Sequence, residues 1–195
     1  MSDAEPKVDV NVERLVIPYS DFYKAANVLL KISENDEIGA KKYCLLSSLT
    51  FRAFSLESFL NHIGALTIGY WSEVEKGLNP KTKIIMISEK LGVDVDWGKA
   101  PWQVVAKLTS FRNKVAHGKT ELLEEARGVT ELGGFEEVLH QWLLSEWEEA
   151  VLTEDHGQIA EHTYTIFEIL HKASGDEEPL LSAGRQTGGA SLIRA

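Results

Sequence analysis

Residues 111–118 read Phe-Arg-Asn-Lys-Val-Ala-His-Gly, and no other stretch of the chain gathers as many groups able to do chemistry. Arg112 offers a planar fork of donors that suits a phosphate. His117 offers an imidazole, the side chain best suited to moving a proton near neutral pH. Asn113 can orient that ring or hold a phosphate oxygen. One short span therefore carries the parts needed to bind an anion and to transfer a proton beside it.

A helix must position these groups. Pro101 suits the first turn of one, and Val104, Val105, Leu108, Phe111 and Val115 recur at helical spacing. Gly118 is expected to end that helix as its C-cap. On a regular helix Arg112 and His117 point about 140° apart. Asn113 and His117, at i and i+4, share a face. Arginine and histidine can serve one site only if the helix ends or loosens between them.

The remaining sequence also reads as helices. Ser20 is expected to cap one that runs to Ser33. A long helix over 36–69 carries Leu45, Leu49, Ala53, Leu56, Leu60 and Ile63 at spacings of three and four, and Gly64 is its expected weak point. Trp71 to Pro80 reads as a connection, followed by a short helix over 81–91 that Gly92 ends. Helices over 135–152 and 157–173 complete the set. Val8, Val10 and Val12 alternate with polar residues, so the N-terminal arm, 1–18, is expected to hold a short extended piece. The Gly-, Ser- and Glu-rich segment 174–195 is expected to be a disordered tail. The expected architecture is all-α: one domain over 19–173, an up-and-down bundle of five or six helices.

Charge and composition narrow the function. The net charge of −10 argues against a protein that coats nucleic acid non-specifically. From Gly98 to Thr120, however, there are five basic residues (Lys99, Lys107, Arg112, Lys114, Lys119) and no acidic one. From Glu121 to Glu161 there are twelve acidic residues and one basic, Arg127. The motif thus lies in a locally basic segment that can attract an anion. Cys44 is the single cysteine, so no intrachain disulfide is possible. The polar, acidic N-terminus has no apolar signal region, and no run approaches the roughly 18 apolar residues needed to cross a bilayer. A cytoplasmic protein without a membrane partner is expected.

An arginine and a histidine separated by four residues, with asparagine after the arginine, resemble the signature of the HEPN superfamily. The stretch Leu56-Glu57 followed by Asn61 resembles the earlier long helix of many HEPN proteins. The resemblance covers roughly residues 20–170. It implies a helical bundle that usually forms a homodimer, with the motifs of both copies meeting in one cleft. Many members are metal-independent RNases of toxin–antitoxin, antiphage or RNA-processing systems, and others are binding or assembly modules.

Metal-independent cleavage of RNA needs a base for the ribose 2′-hydroxyl, an acid for the leaving oxygen and a cation for the phosphate. On this reading Arg112, Asn113 and His117 are the catalytic candidates, and Glu57, Asn61 and Lys114 support them. Glu57 sits at the edge of an apolar helix face, and a half-buried carboxylate there needs a partner; Arg112 is the candidate. One histidine per chain is a thin set for both acid and base, so the hypothesis requires a dimer. No cofactor and no metal is expected. His62, His140, His156, His162 and His171 lack cysteine or carboxylate partners at ligand spacing, and the Asp94-Val95-Asp96 pair lacks the further ligands of a calcium loop. RNA is the expected substrate and an antitoxin protein a candidate partner. The competing expectation is a non-catalytic HEPN-like protein that binds nucleotide, RNA or another protein.

Overall fold

In a computed structural model, residues 8–35, 40–124 and 143–192 are described. They are mostly helical. Helix α1 spans Pro18–Ser33, α2 Lys41–Thr67, α3 Trp71–Val74, α4 Pro80–Leu91, α5 Gln103–Ala116, α6 Glu146–Thr153 and α7 His156–Ser174. Six of these coincide with expected helices, and the seventh, α3, is a single turn within the stretch read as a connection. The expected helix over 135–152 is described only from residue 143, and its helical part starts at Glu146; its first eight positions lie outside the described residues.

Local signals explain most boundaries. α1 starts at Pro18, whose fixed φ suits the first helical position. Ser20, expected as the cap, is instead buried inside the first turn. Asn79 caps α4 by accepting the Thr82 amide at 2.9 Å, and Gly92 ends it with φ +68°. Asp155 caps α7 by accepting the Gln158 amide at 2.9 Å. Asp155→Ala is expected to cost about 1 kcal/mol in chemical denaturation, the usual loss for an N-cap carboxylate.

α2 is the spine. It is continuous over 27 residues, a length of about 40 Å. α1 lies antiparallel against it: the Ser48 hydroxyl donates to Ala26 O at 2.8 Å, and the Ser55 hydroxyl to Tyr19 O at 2.7 Å. Phe59 of α2 stacks on Phe167 of α7 with ring centroids 4.1 Å apart, and Tyr19 meets Phe59 edge-on at 5.2 Å. These rings are fully buried. Gly64 does not break α2. Its missing side chain makes room for the Trp71 indole, whose ring carbons occupy the place a Cβ would take.

The acidic helix α6 is tied to α2 by charge. The Glu148 carboxylate receives Lys42 Nζ at 2.5 Å and accepts the Ser145 amide and hydroxyl, each at 3.0 Å. The Lys42 hydrogen bond and the Ser145 amide hold its carboxyl down at about 2, against an ordinary 4.5. A folded pKa below the unfolded one stabilises at pH above the unfolded value, and that contribution is lost as pH falls through the folded value. In urea titrations, Glu148→Gln is therefore expected to be less stable than the parent near neutral pH. The gap is expected to close between about pH 4.5 and 2.

The segment beyond Ser174 differs from its expected disorder. Strand β2, Arg185–Leu192, pairs antiparallel with β1, Val8–Leu15, placing Val8 opposite Leu192 and Leu15 opposite Arg185. Gly184 makes the entry to β2 with φ +77°, and a Cβ there would collide with the Leu15 carbonyl oxygen. Arg185 also pairs with Glu178 at 2.9 Å. A Gly- and Ser-rich composition cannot announce this strand, because its partner lies at the far end of the chain.

Candidate functional site

α5 buries Val104, Val105, Leu108 and Phe111 as one stripe against the spine. Arg112 and Asn113 follow that stripe at its edge. They line a hollow of about 240 Å³ together with Leu56 and Glu57 of α2, Lys76, and Asn79 before α4. Arg112 Nη2 lies 4.0 Å from Glu57 Oε2, and Arg112 Nη1 donates to Asn113 Oδ1 at 3.1 Å. Its Nε is buried and meets no acceptor among the described residues. The guanidinium is thus held loosely, with donors to spare.

Glu57 has a second cation. Lys83 Nζ lies 3.9 Å from Glu57 Oε1 and donates to Asn61 Oδ1 at 2.7 Å. Lys83 is 2% exposed. Burial lowers its pKa, while the charges of Glu57 and Glu75 work in the opposite direction. α2 presents Glu57 and Asn61 one turn apart, so both reach α4 and α5 from one face. Sequence reasoning missed Lys83 and Lys76. The signal for Lys83 was present: it lies at i and i+4 with Ile87 and next to Ile84, both fully buried, so a lysine was bound to enter the core side of α4.

His117 stands elsewhere. The helix ends at Ala116, one residue before the expected point, and His117 itself is the C-cap, with φ −114° and ψ 20°. His117 and Asn113 line different hollows, although the backbone bond from His117 N to Asn113 O remains at 3.0 Å. Gly118 therefore is not the cap. His117 is exposed and lines a separate hollow of about 540 Å³ with Lys114, Lys119, Glu121, Ser145 and Trp147. Lys114 pairs there with Glu146 at 2.5 Å. The chain thus brings Arg112, Asn113, Glu57, Asn61 and Lys83 together, and leaves His117 and Lys114 at another hollow.

The structure also gathers a cluster that spacing alone did not reveal. His62 Nε2 lies 2.8 Å from Asp176 Oδ2, and His171 Nε2 lies 3.8 Å from the same oxygen. Burial raises the Asp176 carboxyl, but the His62 hydrogen bond and the Glu178 amide outweigh it and leave it below the usual range. Burial, with Asp176 and Glu178 close by, pushes the neighbouring Tyr19 hydroxyl up to about 12. Among the described residues no group of histidine, cysteine and carboxylate side chains is arranged to hold a metal ion. No helix of the described residues is long and apolar enough to cross a membrane. No protein-family model, curated protein or solved structure matches the chain.

Proposed function

We propose that this protein is a metal-independent endoribonuclease of HEPN type that works as a homodimer. On this reading the helices form a HEPN-like bundle, Arg112 and Asn113 bind the scissile phosphate, and His117 of a second copy supplies proton transfer. The observation that carries the proposal is the state of Arg112: a guanidinium in the wall of a polar hollow, with its buried Nε unpartnered among the described residues, a 4.0 Å contact to Glu57 and a hydrogen bond to its own neighbour Asn113. A structural arginine in such a place ordinarily satisfies its donors. The exposed His117 beyond the helix end supports the need for a second chain, because it is free to enter a cleft other than its own. An antitoxin-like protein and a toxin or antiphage setting are consistent with this activity.

A second reading, a non-catalytic HEPN-like protein that binds nucleotide, RNA or a protein, is favoured by the separation of Arg112 and His117 into two hollows within one protomer. The two readings part on one assay. RNA is incubated with the protein in EDTA, and chain cutting is followed for the parent, Arg112→Ala and His117→Ala. Cutting that both variants lose supports the nuclease. No cutting by the parent, with weaker binding by Arg112→Ala, supports the binding protein.

A further inference from the structure

Glu57 occupies an unusual position. Each of its carboxylate oxygens faces a different cation, Oε1 toward Lys83 at 3.9 Å and Oε2 toward Arg112 at 4.0 Å. Neither contact is a hydrogen bond, since both exceed the usual 2.7–3.2 Å range. No donor among the described residues reaches Glu57 within hydrogen-bonding distance. Yet Asn61 Oδ1, one turn away, accepts a hydrogen bond from Lys83 Nζ at 2.7 Å, and Asn113 Oδ1 accepts one from Arg112 Nη1 at 3.1 Å. The two amides thus engage the cations, while the carboxylate stays charge-balanced with its lone pairs open. Its side chain is 36% exposed and lines the same hollow as Arg112.

A hollow with open acceptors on one wall and open guanidinium donors on the other suits a ligand that carries a hydroxyl next to an anion. A plain phosphate does not fit this description, because the carboxylate would repel it. A ribose 2′-hydroxyl beside a 3′-phosphate does. We infer that Glu57 is the group that accepts the ribose 2′-hydroxyl hydrogen, while Arg112 holds the adjoining phosphate. Lys83 is the positioning residue: buried and fixed to Asn61, it keeps the carboxylate turned to the hollow. The hollow thereby selects a ribonucleotide over its deoxy counterpart. This inference rests on the reading that the hollow receives RNA, and not on any cleavage of it.

Adenosine 3′-monophosphate and 2′-deoxyadenosine 3′-monophosphate test it, because both carry the phosphate, neither can be cut, and they differ only in the hydroxyl. Affinities are measured by NMR titration with inorganic phosphate as a control. The parent is expected to bind the ribonucleotide at least about tenfold more tightly, as a hydrogen bond to a charged acceptor allows. Glu57→Gln keeps a neutral acceptor and is expected to reduce the preference to about threefold, since such bonds are about half as strong. Glu57→Ala is expected to abolish it, and the glutamine variant carries the test if the alanine one does not fold. Lys83→Met is expected to lower the preference while the deoxynucleotide still binds. Equal binding of the two nucleotides by the parent, no binding of either, or an undiminished preference in folded Glu57 variants overturns the inference. RNA cutting in EDTA without this preference would leave the nuclease standing and remove the role of Glu57. The preference without cutting would do the reverse.

Discussion

Replacing Arg112 with alanine is expected to lower RNA cleavage in EDTA by about 10²–10³-fold, the usual cost of removing one donor aimed at charge that develops in a transition state. The same change is expected to leave the fold almost untouched. Arg112 is 39% exposed at its side chain, its ionic contact to Glu57 is long, and its one hydrogen bond is to its own neighbour Asn113. Exposed pairs of this kind contribute about 1 kcal/mol or less. The melting temperature should then move by a few degrees at most, about 2–4 °C per kcal/mol in a chain of this size. Arg112→Lys separates charge from shape: it keeps the cation and loses the fork, so it is expected to remain at about a tenth of parental cleavage or below. Steady-state rates alongside thermal melts decide the matter. A variant with parental cleavage, or one whose lost activity follows a collapsed melting temperature, removes Arg112 from the site.

Gly64→Ala is expected to produce the largest loss of stability of any single methyl addition to the spine. In an ordinary helix the change would help by about 0.5–1 kcal/mol, because glycine is the poorer helix former. Here the new methyl group would occupy the place of the Trp71 indole, which is 2% exposed. The ring cannot move outward without opening the contact between α2 and α3. Overpacking of this sort costs about 1–3 kcal/mol and sometimes more. The net effect is expected to be a destabilisation of about 2 kcal/mol in urea denaturation, with the steric term outweighing propensity. Trp71→Leu removes the obstacle, so the double variant is expected to be less destabilised than the sum of the two singles. A stabilised Gly64→Ala protein would show that the indole does not pack there.

The same glycine marks what a sequence can and cannot disclose. Helical periodicity located α2, but a glycine within it looks like a weakness until the tryptophan seven residues on is known to need the space. α4 was legible to within one residue: Gly92 ends it as expected, while Asn79 and Pro80, read as part of the connection, cap and begin it. β2 was not, because its hydrogen-bonding partner is β1 and the intervening chain carries no trace of the pairing. For the candidate site, the place of Glu57 at the edge of an apolar face called for a partner, Arg112 was the candidate, and the structure brings the pair to 4.0 Å. The place of His117 did not follow, because it turns on backbone angles at one residue. A shared face for Asn113 and His117 assumes a helix that continues through His117, and this one ends at Ala116. Lys83 was overlooked because a lysine on an apolar face is ordinarily read as reaching for solvent. Here it is buried, with Asn61 and Glu57 close enough to compensate for its charge.

Pairing Val8 with Leu192 sets the outer ends of the ribbon side by side, at the Cα separation of about 5 Å found between paired antiparallel residues. The helices are therefore threaded on a path that almost closes on itself. A short linker from one strand to the other would complete the ring without moving a helix. The chain could then be opened in the loop between α4 and α5, where Asp94, Asp96, Gly98 and Lys99 are exposed, to give a circular permutant with the same packing. In that form β1 and β2 become one ordinary hairpin. The spine α2, the arginine-bearing α5 and the hollow between them would keep their places in space while exchanging their order along the chain.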